Sequence, residues 1–169
     1  ERNRLQKAPR SIRPSIEKMI RFIEKQISQI DQSLDKPIEE DPHLKDRYDI
    51  ITAIKGVAKV TAWHVLAELP EITQLNRNEL VALAGLAPFN RDSGKKTGKR
   101  YIQGGRAKVR KCLFMAANSA ARFNPVIAPY IKGLKERGKP HKCAIVAGMR
   151  KLLLHIQSEL KKYELTLVS

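Results

Sequence analysis

Ser93 sits in Asp92-Ser93-Gly94, inside a stretch, 91–111, that carries Arg91, Lys95, Lys96, Lys99, Arg100, Arg106, Lys108, Arg110 and Lys111 against Asp92 alone. A hydroxyl among so many cations has the ingredients for attack on a phosphodiester. The oxygen is the nucleophile, and the cations stabilise the charge that develops on the phosphoryl oxygens. Tyr101 offers a rival hydroxyl in the same stretch. On residue chemistry alone, Ser-Gly in a loop reads first as a turn.

A second phosphate-facing element is encoded upstream. Ile54-Lys55-Gly56-Val57-Ala58-Lys59, within Ile51–Ala62, resembles a helix-hairpin-helix, whose tight turn aims backbone N–H groups at a phosphate without reading sequence. Gly56 and Lys59 are its candidate contacts. Ala58 stands where the motif usually has a second glycine, and a plain helical turn with Gly56 as C-cap is the alternative.

Other chemistries lack their residues. Two-metal nuclease chemistry needs three or four converging acidic groups, but from residue 91 onward only Asp92, Glu136, Glu159 and Glu164 occur. No metal site is predicted within this chain. His43, His64, His141 and His155 have no metal-like spacing; His64 beside Trp63 and His155 on an apolar helix read as core or surface residues. Cys112 and Cys143 have no further cysteine partners, which argues against a disulfide scaffold or a Cys-rich zinc site; both read as buried small hydrophobes.

Charge selects among partners. The 169 residues hold 33 Lys plus Arg against 17 Asp plus Glu, a net charge of +16, with apolar residues at 42%. The apolar share suffices for a packed core. The charge points to a polyanion, DNA or RNA before an anionic membrane surface, with a solvated basic surface as the bland alternative. The excess is focused in residues 91–111 and again in 132–151, where seven basic residues face Glu136 alone. Aromatics at 5% argue against a stacking platform for single strands. No apolar run is long enough to span a membrane, and no secretory signal opens the chain. A start at Glu1 rather than Met reads as a piece of something longer.

Helices must position these groups. Ile12, Ile16, Met19, Ile23, Ile27, Ile30 and Leu34 recur at helical spacing, so residues 14–35 read as one long helix, its stripe packed within its own domain or in a dimer seam. Lys36-Pro37 is expected to end it, followed by an acidic turn at Glu39-Glu40-Asp41. Asp41 caps a helix from Pro42 to Ala53, and an apolar helix runs on to Leu69. Asn76 and Glu79 have capping-box spacing and open a short helix ending at Gly85. Pro88 to Gly105 reads as a long basic loop, with room for a short hairpin. Helices follow at 106–123, with a small face of Ala116, Ala117, Ala120 and Ala121, then at 126–136 and 141–163. In the last, Ile145, Met149, Leu152, Leu153, Ile156 and Leu160 point inward. The fold class is mainly α: a coiled-coil-like helix and linker, 1–40, then a compact helical domain, 41–169.

The ordered motifs Ala84-Gly85-Leu86-Ala87-Pro88, Asp92-Ser93-Gly94, Gly98-Lys99-Arg100, Gly104-Gly105-Arg106 and Val109-Arg110-Lys111 resemble the C-terminal domain of insertion-sequence 110/1111 family transposases, relatives of the Piv-type DNA invertases. The similarity runs from about Tyr48 to Leu160, through Arg137-Gly138-Lys139-Pro140, Lys142 and Met149-Arg150-Lys151-Leu152. The helix at 14–35 is similar to the segment joining that family's two domains. The resemblance implies that Ser93 forms a phosphoserine link to DNA. It also implies that a separate RuvC-like domain carries the Mg²⁺-binding carboxylates, that a structured non-coding RNA bridges target and donor DNA, and that the setting is the bacterial cytoplasm at the nucleoid. No cofactor is then expected in this fragment, which alone should bind DNA without cutting it, and self-association through the N-terminal helix is expected. A non-catalytic helix-hairpin-helix nucleic-acid-binding module and a helical assembly domain are the competing classes.

Overall fold

The computed structural model describes residues 1–89 and 101–168. They form eight helices and one two-stranded ribbon: α1 (Arg2–Lys7), α2 (Arg13–Glu40), α3 (Pro42–Ala53), α4 (Lys59–Glu68), α5 (Arg77–Leu83), β1 (Pro88–Phe89), β2 (Tyr101–Ile102), α6 (Ala107–Phe123), α7 (Ile127–Glu136) and α8 (His141–Val168). Two compact units divide the chain, Glu1–Lys45 and Asp46–Ser169. None of the described helices is long and apolar enough to cross a membrane.

In the first unit α1 packs on α2, and the Arg13 Nε donates to the Ala8 carbonyl at 3.0 Å, closing the corner between them. No apolar stripe in the sequence marks the helix at 2–7. Nor does α2 stop at Lys36-Pro37; it continues through Pro37 to Glu40. A proline this near a C-terminus removes one N–H whose acceptor lies one turn back, a small loss beside the turn of helix retained. Glu39 and Glu40 are therefore helical rather than part of an acidic turn. Asp41 alone makes the break, its Oδ1 accepting from the N–H groups of His43 (2.9 Å) and Leu44 (3.2 Å) at the start of α3. Of the isoleucine stripe, Ile16 is buried, while Ile12, Met19, Ile23, Ile27, Ile30 and Leu34 are 40–57% exposed.

The second unit is organised on α6. It packs against α4, α7 and α8, and Val109, Cys112, Leu113, Ala116, Ala117 and Ala120 are buried along it. From α8, Ile145, Met149, Leu152, Leu153, Ile156 and Leu160 all face this core, as their spacing predicts. The alanine face of α6 admits the turn between α3 and α4. Gly56 there has φ +96°, and a Cβ on it would stand 2.6 Å from the Ala120 Cα. Asn124 ties the same corner: its Nδ2 donates to the Lys55 carbonyl at 2.8 Å, and its Oδ1 accepts from the N–H groups of Val126 and Ile127 to open α7. Gln157, buried on α8, donates to the carbonyls of Ile72 and Leu75 at 2.8 Å each, so the connection before α5 is pinned to the core. The capping box of Asn76 and Glu79 forms as its spacing predicts.

Gly56→Ala must place a Cβ against helix backbone in a left-handed conformation. It is expected to lower stability by about 2–5 kcal/mol, the sum of backbone strain and overpacking. Gly138 also has a positive φ, +78°, but open space around it. Gly138→Ala is expected to cost only the backbone part, about 1–2 kcal/mol. Urea midpoints of the two variants check the difference; equal losses would refute the close approach.

Candidate nucleic-acid interface

Ser93, Arg91, Lys95, Lys96, Lys99 and Arg100 lie outside the described residues. The structure defines the ends from which their segment leaves and returns. Pro88 pairs with Ile102 and Phe89 with Tyr101 in an antiparallel ribbon. Below the ribbon, α5 ends in a left-handed Gly85 (φ +67°), with the Leu86 N–H bonded to the Val81 carbonyl at 2.9 Å. This is a Schellman closure, which needs a residue free of Cβ strain. Gly105 (φ +59°) lies against it, where a Cβ would fall on the Gly85 backbone and within 2.6 Å of the Leu83 carbonyl oxygen. The Arg106 N–H donates to that same oxygen at 2.8 Å. The two glycine motifs that flank the basic segment thus pack on each other.

Side chains complete this closure. The Arg106 guanidinium donates through Nη1 to the Glu68 carbonyl and stands 2.6 Å, through Nη2, from the Glu71 carboxylate. Lys108 Nζ reaches the Glu68 carboxylate at 2.8 Å, and Arg110 Nη1 donates to the Gly104 carbonyl. The hydrogen bond from Lys108 holds the Glu68 carboxyl below its ordinary pKa, and that from Arg106 does the same for Glu71; the Arg106 and Lys108 values rise in return. Of the candidate contacts on α6, Arg106, Lys108 and Arg110 are thereby engaged within the protein, and Lys111 stands exposed.

The upstream candidates lie at the turn of residues 54–58. Its Val57 N–H is bonded to the Ile54 carbonyl at 2.9 Å. No side chain caps the start of α4. Lys59 is exposed, with Nζ 5.2 Å from the Trp63 ring centroid. Gly56 itself is turned against α6.

A basic cleft that the residue motifs did not single out lies beside the ribbon. It encloses about 580 Å³. Leu86, Ile102, Val146 and Ala147 line it with apolar surface, Tyr101 and Tyr130 add rings, and Lys139, Lys142 and Arg150 bring charge. The seven cations of residues 132–151 were the available signal. Their convergence depends on the α7–α8 turn, where left-handed Gly138 lets the Lys139 N–H bond back to the Leu134 carbonyl at 3.1 Å. Cys143 also lines this cleft and is exposed, which corrects the expectation of a buried thiol; its position on α8 faces away from the core. Cys112 is buried as expected, and burial pushes its thiol up to about 11. Among the described residues no three of His, Cys, Asp or Glu gather where they could share a metal ion.

Residues 48–132 match the model of the Transposase IS116/IS110/IS902 family. The chain is 32% identical over 139 residues to the pilin gene-inverting protein of Moraxella bovis, covering 79% of this chain and 43% of that protein, and equally to its Moraxella lacunata counterpart. It is 27% identical over 99 residues to an uncharacterized 43.6 kDa insertion element IS110 protein of Streptomyces coelicolor, covering 57% of this chain and 24% of that one. The chain therefore spans less than half the length of these relatives. By the match over half its length, the chain belongs to the IS116/IS110/IS902 transposase family.

Proposed function

We propose that this chain is the nucleophile-bearing, nucleic-acid-binding part of a transposase or site-specific recombinase that works through a serine–DNA phosphodiester. The observation that carries the reading is the family match over residues 48–132, a range that includes Ser93 and all the basic residues around it. The Ser93 oxygen forms a bond to phosphorus as the bond from phosphorus to the departing strand's oxygen breaks. That oxygen keeps the electron pair and takes up a proton. Attack by a new strand's hydroxyl reverses the exchange and frees the serine. Arg91, Lys95, Lys96, Lys99 and Arg100 neutralise the phosphoryl oxygens, and Lys111, Lys59 and the backbone around Gly56 hold flanking phosphates. Arg106, Lys108 and Arg110 keep the root of the segment in place through the bonds described above.

A serine hydroxyl is neutral at pH 7 and needs help to attack. No described cluster of this chain offers it, so we assign that help to the remainder of a longer protein and expect the chain alone to bind DNA without joining or cutting it. A structured RNA that bridges two DNA segments, and action at the bacterial nucleoid, belong to the same proposal. The exposed isoleucine stripe of α2 is the seam through which copies associate; an apolar stripe of that length is unfavourable in water.

Three measurements test these statements. Duplex binding that neutralises about six phosphates should weaken with log salt at a slope near −5. Neutralising Lys95, Lys96, Lys99 and Arg100 together should flatten that slope, and salt-independent binding would refute the electrostatic reading. In the full-length protein, supplied with Mg²⁺ and its RNA, Ser93→Ala should abolish a covalent protein–DNA adduct on denaturing gels while leaving affinity nearly intact, since no charge is removed. An adduct that persists, or moves to Tyr101, would overturn the serine assignment, and a module that only binds nucleic acid would form none in either protein. Ile23→Lys with Ile27→Lys should lower the sedimentation coefficient to that of a single copy; an unchanged profile with lost thermal stability would assign the stripe to intramolecular packing.

A further inference from the structure

We infer that the cleft between the β1–β2 ribbon and α8 is a pocket for one unpaired DNA nucleotide, its base against the apolar wall and its phosphates on Lys139, Lys142 and Arg150. The inference rests on the nucleic-acid reading above and adds to it a site and a substrate form.

The lining separates into two chemistries. Ile102, Val146 and Ala147 present apolar surface beside Tyr101 and Tyr130, and the Lys151 ammonium lies 4.4 Å from the Tyr130 ring centroid. The apolar surface suits the face of a base and offers nothing to a phosphate. Lys139, Lys142 and Arg150 supply the opposite, and no described carboxylate pairs with any of them. This distinguishes them from Arg106 and Lys108, whose charges are met by Glu71 and Glu68. The only acid within residues 132–151, Glu136, lies 3.8 Å from Lys132. A cavity of about 580 Å³ is within the size of small-ligand clefts, roughly 300–1,000 Å³. A paired base keeps its faces stacked inside the duplex and cannot enter; an extruded or single-stranded one can.

Position supports the same occupant. Tyr101, which lines the cleft, is the first described residue after the segment bearing Ser93, and Pro88, also in the lining, is one residue short of the last before it. A strand held here by an unpaired nucleotide would run past the roots of that segment. Low aromatic content argues against an extended stacking platform, and the cleft is not one. Its lining includes two of the four tyrosines, Tyr101 and Tyr130.

Cys143 supplies a reporter within the cleft, because Cys112 is buried and its thiol is pushed up to about 11. The chain is alkylated with iodoacetamide at pH 8, alone and with three probes of one sequence: a single-stranded DNA oligonucleotide, its duplex, and the single-stranded RNA. The single-stranded DNA, at about ten times its Kd, is expected to slow Cys143 alkylation about tenfold, the inverse of the unoccupied fraction, and the duplex to leave it little changed. Ala147→Phe fills the cleft without altering charge. It is expected to weaken single-strand binding about tenfold and to spare duplex binding, with circular dichroism checking its fold. The protection assay on the unaltered chain decides the matter even if that variant misfolds. Duplex binding with no protection of Cys143 by single-stranded DNA would overturn the pocket and leave the nucleic-acid reading standing. Failure of every probe to bind would overturn both, and protection by RNA in place of DNA would overturn the assignment to DNA.

Discussion

The arrangement of the second unit depends on one ion pair and the close backbone contact beneath it. Arg106 begins the approach to α6, yet its guanidinium belongs to the end of α4, where it meets the Glu71 carboxylate and the Glu68 carbonyl. Its N–H belongs to the end of α5, at the Leu83 carbonyl. One residue therefore fastens three helices. Gly85 and Gly105 make the approach possible, because a Cβ on Gly105 would fall on the Gly85 backbone and a Cβ on Gly85 would fall on the Gly104 carbonyl. An ion pair at a partly exposed site contributes modestly to stability. Its larger effect is geometric: it fixes where the chain leaves for residues 90–100 and where it returns.

That closure also sorts the positive charge. A chain of net charge +16 presents many cations to solvent, but they are not equivalent. Those at the start of α6 face Glu68 and Glu71, and the depressed pKa of both carboxyls reflects that mutual satisfaction. Lys139, Lys142 and Arg150 lack such partners among the described residues, and their field extends to whatever polyanion approaches. Among the described residues the positive charge is thus divided between cations paired within the protein, such as Arg106 and Lys108, and cations of the cleft with no carboxylate partner.

The helices were largely legible because their signals are local. The α8 stripe, the Asn76–Glu79 box, the Asp41 cap and the break at Asn124-Pro125 each lie within a few residues of the structure they specify. Pro37 misled because a proline signal does not say how near the helix end already is, and α1 was missed because a short charged helix held by packing has no stripe of its own. The site was legible in part. The glycines around the basic segment were visible, but not that Gly85 and Gly105 stack. The Arg106–Glu71 pair was not legible because Glu71 is 35 residues away in sequence and adjacent only in space. The cleft was invisible for the same reason: its lining comes from the end of α5, the ribbon, α7 and α8, and Cys143 was misjudged with it.

In the proposed role, Arg106 holds the root of the basic segment rather than a phosphate. A double-mutant cycle on Arg106→Ala and Glu71→Ala, read by thermal unfolding and by the salt slope of duplex binding, tests it most directly. Each single change should lower the unfolding midpoint, the pair should lower it by less than the two together, and the slope should not move. Additive losses with a slope shallower by about 0.9, the loss of one phosphate contact, would contradict the account.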